Sequence, residues 1–254
     1  MGCHEMKTPF RYTFANKLTA EVIQIHSFSE LSEALHKLGL SNKRPTLVLV
    51  GGASGISEAD MNRLQRLFVE EIAPIAQELR VAVVDGGTDA GIMRLIGQAR
   101  SQIGATFPLI GVAAYGTVIL PDLPPPSSGA ALLEPHHTHF VLVPGCNWGD
   151  ESPWLASLAS VISEGFASCT LVINGGEITL QDVSNSLRAN RPVVTLDGSG
   201  RTADKLAAAL RGEATDDRAT KLTASGQIHA IDLMKNSARV TWMIRRMLSR
   251  ILRI

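Results

Sequence analysis

Four times along this 254-residue chain a short apolar run ends directly in a glycine-rich turn. The runs are Leu47-Val-Leu-Val-Gly-Gly-Ala-Ser-Gly55, Val81-Ala-Val-Val-Asp-Gly-Gly-Thr-Asp-Ala-Gly-Ile-Met93, Leu171-Val-Ile-Asn-Gly-Gly-Glu177 and Val193-Val-Thr-Leu-Asp-Gly-Ser-Gly-Arg201. A buried strand that turns on glycine into a helix brings backbone N–H groups and a helix N-terminus to one point, where an anion can be held. In an open parallel sheet all strands point their carboxyl ends to one edge, so turns after separate strands converge on one crevice. The expected ligand carries several phosphates or sugars, and Gly51, Gly52, Gly86 and Gly87 are the first residues that would meet it.

Strand-like runs at 20–25, 45–50, 81–84, 109–113, 140–143, 169–173, 192–196 and 228–232 alternate with helical patterns at 30–38, 57–79, 91–103, 154–164 and 180–189. That alternation predicts an α/β fold: a single Rossmann-like, doubly wound, mainly parallel sheet with helices on both faces. Residues 20–25 alternate as an edge strand would, Ser57 is placed to cap the helix that follows it, and 121–129 are too rich in Pro, Ser and Gly for regular structure and are expected to be mobile. The chain divides into an N-terminal extension, 1–40, packed on the domain, a nucleotide-binding domain, 41–232, and a C-terminal amphipathic basic helix, 233–254. Residues 1–40 are expected to complete the sheet, mediate assembly or cover the site. In the last helix Val240, Met243, Ile244, Met247, Leu248, Ile251 and Leu252 make one stripe, opposite Arg239, Arg245, Arg246, Arg250 and Arg253. Such a helix docks on its own domain or meets a partner or membrane surface.

Lysine plus arginine balance aspartate plus glutamate at 24 each, so no global field favours nucleic acid, and any anion site must be local. The three cysteines, Cys3, Cys146 and Cys169, are an odd number without close spacing, which suits a reducing compartment. With no apolar run of membrane-spanning length and no apolar leader at the start, a cytoplasmic protein is expected.

Four ordered motifs carry a resemblance. Gly86-Gly-Thr-Asp-Ala-Gly-Ile-Met93, Ile110-Gly-Val-Ala-Ala-Tyr-Gly-Thr117, Leu133-Glu-Pro-His-His-Thr-His-Phe-Val-Leu-Val143 and Asp197-Gly-Ser-Gly-Arg-Thr-Ala-Asp204 resemble the cytoplasmic N-terminal region of TRPM cation channels. The similarity is to the prokaryotic, free-standing relatives of that region, within the SLOG superfamily that also holds the LOG phosphoribohydrolases and DprA. The resemblance implies a domain that binds ADP-ribose, a cyclic form of it or a nucleoside monophosphate, with channel and defence branches sensing ligand and the LOG branch cutting base from ribose. It places Gly86, Gly87 and Thr88 at the phosphate, lets Gly91 bring the helix close to the sheet, and makes Gly198, Ser199, Gly200 and Arg201 a second anion-holding turn. A guanidinium there can contact phosphate bidentately. Asp204 reads as a first-turn helix residue.

The enzyme question turns on Asn174-Gly-Gly-Glu-Ile-Thr-Leu-Gln-Asp182, similar to the LOG frame Pro-Gly-Gly-x-Gly-Thr-x-x-Glu. Gly175, Gly176 and Thr179 keep the frame. Asn174 stands for proline, Ile178 for glycine, and Asp182 for the catalytic glutamate, one methylene shorter. Glycosidic cleavage needs a carboxylate beside the anomeric carbon, so Asp182, with Glu177 as a second carboxylate, would carry it. Without turnover the same frame serves a sensor, whose output requires a second copy or an effector protein.

His136, His137 and His139 alternate in direction at a strand start, and no nearby cysteine or carboxylate is read as completing a tetrahedral set, so capping or packing is expected rather than a metal, with one histidine near the ligand. No cofactor is expected. Trp148 stacks on a base or plugs its loop, and Tyr115 contacts base or ribose or simply packs. Cys146 lacks a basic neighbour in sequence and is not read as a nucleophile.

Overall fold

The computed structural model describes residues 8–53, 58–120, 124–233 and 237–252. The strands are β1 (Phe10–Thr13), β2 (Thr19–Gln24), β3 (Thr46–Gly51), β4 (Ala82–Asp85), β5 (Leu109–Ala114), β6 (Val118–Ile119), β7 (Ala131–Leu132), β8 (His139–Val143), β9 (Ser168–Ile173), β10 (Val193–Asp197) and β11 (Ile228–Asp232). The helices are α1 (Leu31–Lys37), α2 (Glu58–Leu67), α3 (Ala73–Glu78), α4 (Gly91–Gln102), α5 (Ser152–Ile162), α6 (Glu177–Arg188), α7 (Arg201–Leu210), α8 (Asp217–Thr223) and α9 (Ser237–Leu252).

One sheet holds nine of these strands in the order β1-β2-β8-β5-β4-β3-β9-β10-β11, while β6 pairs only with β7. Every pairing in the large sheet is parallel except β1 with β2. The run β5-β4-β3-β9-β10-β11 is the doubly wound order, in which the order of strand addition reverses between β3 and β9. Side chains alternate faces along each strand. Leu47 and Leu49 of β3 pack with α2, α3, α4 and α9, whereas Val48 and Val50 pack with α1, α5, α7 and α8. Both faces are covered, which is why the central strands read as continuous apolar runs.

Besides adding the short strands β1, β6 and β7, the structure departs from the sequence pattern at β2, within 57–79 and at α8. β2 is not an edge strand: it pairs with β8 on one side and with β1 on the other, and Val22 and Ile23 are both fully buried. Its alternation comes from Glu21, which pairs with Arg11 across the β1–β2 hairpin. The helix expected over 57–79 is interrupted by a π-helical turn, Phe68–Ile72, just before Pro74. Proline lacks the N–H that would continue the ladder, and the widened turn absorbs the break. The short α8, with Asp216 accepting the Arg218 N–H at its N-terminus, has too few apolar positions to announce itself.

Helix α9 lies on the first face, where Ile244 and Leu248 are buried in the core and Met243, Met247 and Ile251 pack beside them. Ser54, Gly55, Ser57, the start of the 121–129 segment, Cys3, Arg253 and Ile254 lie outside the described residues, as do the side chains of Val240 and Leu252. Among the described residues no helix is long and apolar enough to cross a membrane.

Gly91 shows how the sheet edge is built. It opens α4 at φ +46°, and a Cβ there would stand 1.9 Å from the Gly52 carbonyl oxygen, which accepts the Ile92 N–H. Backbone meets backbone, so neither side can yield. Gly91→Ala should cost about 2 kcal/mol or more, read as a lowered denaturation midpoint with unchanged m-value; a variant as stable as the parent would show that α4 can withdraw from the β3 turn.

Candidate functional site

A cleft of about 300 Å³ opens at the carboxyl end of β3, over the point where strand order reverses. Leu49 to Ala53, Gly86 and Thr88 line one side. Gly176 to Thr179, Asp182 and Arg201 line the opposite side, and Trp148, Glu151 and Leu155 complete the wall. The first turn of α4 contributes Met93, so the N-terminal ends of α4, α6 and α7 all meet the cavity. Helix N-termini carry partial positive charge, which favours an anion, while the Ile92 N–H of α4 and the Thr202 and Ala203 N–H groups of α7 are taken by backbone carbonyls.

The four glycine turns do not contribute alike. Gly51, Gly52 and Gly86 line the cleft, and nothing lies within 4 Å of where a Gly86 side chain would start. Gly87 turns away: its N–H donates to Asp85 Oδ1 at 2.7 Å, and its Cα packs against Gly111 and Phe140. The turn after β9 is zipped to the turn after β10. The Asn174 amide donates to the Ser199 carbonyl at 2.8 Å, and the Asn174 N–H donates to Ser199 Oγ at 2.8 Å. Asn174 sits at φ +58°, which a proline ring cannot reach, so asparagine here fits the backbone.

Asp204 lies in the first turn of α7 and accepts the N–H groups of Gly198 and Gly200 at 2.7 and 3.0 Å. Gly198, Ser199 and Gly200 therefore build the turn and do not line the cleft, whereas Arg201, first residue of α7, does. Gly175, at φ +108°, folds over Thr179, whose hydroxyl accepts the Gly176 N–H at 3.1 Å. Tyr115, just past β5, is exposed and outside the lining.

The two candidate carboxylates part company. Glu177 borders the cleft, but its carboxylate is paired with Arg218 of α8, with oxygen-to-nitrogen distances of 2.5 and 3.1 Å. The Arg218 guanidinium holds it below the usual carboxylate range. Asp182 instead faces Ser152, whose hydroxyl donates to Oδ1 at 2.5 Å. Burial, together with the negative charge of Glu151, pushes Asp182 up to about 7 against the pull of the Ser152 hydrogen bond. Glu151 is raised as well, by burial and by Asp150, while accepting the Gly149 N–H at 2.9 Å. The acidic pair of this cleft is thus Asp182 with Glu151. The sequence hides Glu151 because an acidic residue two positions before Pro153 at a helix start reads as an N-terminal cap, which it also is.

Behind the cleft wall, His137 is buried between two carboxylates. Its Nδ1 meets Glu134 Oε2 and its Nε2 meets Asp85 Oδ1, each at 2.8 Å. Burial pulls the imidazole down, but the facing carboxylates outweigh it and raise His137 to about 9. Both ring nitrogens face carboxylate oxygens, a geometry that favours the protonated ring. His136 also meets Glu134, at 2.5 Å, and His139 meets Thr138 Oγ1 at 2.7 Å; burial lowers His139 to about 4. His136 and His137 thus share Glu134 while His139 goes to Thr138, and among the described residues no group of three His, Cys, Asp or Glu is placed to hold a metal ion. Trp148 lines the cleft while remaining 46% exposed. Cys146 is exposed, and burial pushes the Cys169 thiol up to about 12.

A group whose pKa is raised by folding adds stability that is complete below its unfolded value and lost as pH climbs through the folded one. For His137 the window runs from about 6.5 to about 9. Each tenfold gain in proton affinity is worth about 1.4 kcal/mol, so about 3 kcal/mol should disappear across that window. Urea unfolding at pH 6.5 and 9.5 should show this loss in the parent and a much flatter response in His137→Asn; equal slopes would mean the imidazole is neutral in the folded protein.

A family model described as SLOG in TRPM, prokaryote, matches residues 44–241. Curated relatives include transient receptor potential cation channel subfamily M member 2 of Mus musculus, 27% identical over 196 residues that cover 63% of this chain and 13% of that protein. The Nematostella vectensis protein named transient receptor potential cation channel subfamily M member-like 2 is 27% identical over 198 residues, with the same 63% and 13% coverage. This chain therefore spans only about an eighth of the length of these relatives.

Proposed function

Because the chain belongs to the prokaryotic family of SLOG domains found in TRPM proteins, we propose that it binds a nucleotide-derived ligand of the ADP-ribose type in the cleft at the β3–β9 switch point and acts as its sensor. The observation that carries this reading is the convergence of three helix N-termini, the open Gly86 turn and Arg201 on one cavity. Partial positive ends and a guanidinium fit a pyrophosphate, while Trp148 offers an aromatic face to a base. The channel activity in the relatives' names is not carried over, since the matched segment is a small share of those proteins. Occupancy would be read by a second copy of the chain or by an effector protein that favours one state of the crevice.

A second reading, cleavage of the ligand's N-glycosidic bond, is favoured by one observation. Asp182 stands in the cleft with its pKa raised to about 7, which suits a proton donor at neutral pH. The Glu177 carboxylate, engaged by Arg218, is poorly placed to assist.

Calorimetric titration with ADP-ribose at moderate salt, with the recovered ligand checked chromatographically, separates the two. The sensor reading expects saturable binding with intact ligand. Release of free base or ribose phosphate, lost at least about a hundredfold in Asp182→Asn, would establish the hydrolase. Arg201→Ala should weaken binding roughly tenfold to a hundredfold while the variant still unfolds cooperatively in a melting curve. Undiminished affinity would remove Arg201 from the site, and no binding of ADP-ribose or of nucleoside monophosphates would overturn the ligand class.

A further inference from the structure

The lining of the cleft is chemically mixed. It includes helix N-termini and the Arg201 guanidinium, and it also includes the carboxyl groups of Glu151 and Asp182 together with Trp148. A phosphate that suits the first set of groups is repelled by carboxylates, so whatever part of the ligand meets these two must donate hydrogen bonds. The group of a nucleotide that does so most compactly is the ribose diol, and a carboxylate that accepts a ribose hydroxyl is a general device of doubly wound nucleotide sites.

We propose that Glu151 reads the ribose of the ligand, accepting a hydrogen bond from its vicinal diol, and so sets the preference of the cleft for ribo- over deoxyribonucleotides. The inference rests on the nucleotide-binding reading above. Three features of Glu151 support it. Its side chain is steadied by the Gly149 N–H at 2.9 Å, its oxygens keep acceptor capacity beyond that bond, and it shares the cavity with Asp182, which Ser152 fixes at 2.5 Å. The loop that carries it, from Gly145 to Ser152, is itself pinned: Asp150 accepts the N–H groups of Cys146 and Asn147 at 2.9 and 3.0 Å. A carboxylate on a held loop discriminates better than one that can swing away.

The test compares AMP, 2′-deoxy-AMP and 3′-deoxy-AMP by calorimetric titration on the parent, on Glu151→Gln and on Glu151→Ala, with melting curves to confirm folding. The parent should bind AMP about tenfold or more tightly than at least one of the deoxy forms. In the variants that ratio should fall below about threefold while the affinity for the deoxy form stays within twofold of the parent's. A merely structural Glu151, one that only seats the Trp148 loop, would shift all three ligands together and leave the ratio intact, which would overturn the proposal. A parent that binds the nucleotides without distinguishing them would overturn it too, while leaving the nucleotide-binding reading standing. Failure of all three to bind would overturn the ribose proposal, and failure of ADP-ribose titrated alongside them would overturn the nucleotide-binding reading as well.

Discussion

An imidazole bonded at both nitrogens to buried carboxylates holds the rear of the cleft in place. His137 links Asp85, at the end of β4, to Glu134, in the segment that leads into β8, so two stretches of chain separated by 52 residues are locked in register. The same Asp85 oxygen accepts the Gly87 N–H and thereby sets the turn that presents Gly86 to the cavity. Glu134 reaches its partners across α4 only because Gly97 has no side chain; a Cβ there would stand 2.1 Å from the carboxylate. Burying three ionisable groups is costly, and it is tolerated because each finds its complement within hydrogen-bond distance.

A second brace, on the other side of the cleft, draws mainly on the backbone. Asn174, Ser199 and Asp204 consume the amides of the turns after β9 and β10 and leave Arg201 as the group those turns deliver to the cavity. The cleft is therefore not a ring of equivalent glycine cradles. Its anion-attracting groups are helix ends and one guanidinium. Its acidic groups include Glu151, in the loop after β8, and Asp182 of α6.

Much of this architecture is written in the chain. The apolar runs that became β3, β4, β5, β8, β9 and β10 are buried on both faces, as a sheet sandwiched by helices requires. The glycines after β3 and β4 are legible because close backbone approach at the sheet edge admits no side chain, as Gly51 shows with Ile173 oxygen 2.0 Å from where its Cβ would stand. The role of Asp204 as a first-turn helix residue is local and equally legible. β1 is not, since its four residues are mostly exposed and gain their place only by pairing with β2.

The sequence by itself determined the doubly wound order of elements, the edge at which the turns gather, and the family, because periodicity and turn chemistry act over a few residues. Only the tertiary structure decided which groups face the cavity. Glu177 and Asp182 lie five positions apart on one helix, yet one turns to Arg218 on α8 and the other to Ser152 on α5, since each carboxylate goes to the hydrogen-bond donor that packing brings nearest. Glu151 joined Asp182, and Asp85 joined His137, across separations of 31 and 52 residues that no local pattern encodes. Long-range contacts carry no periodic trace, so the chemistry of the cleft becomes visible only when the sheet is assembled.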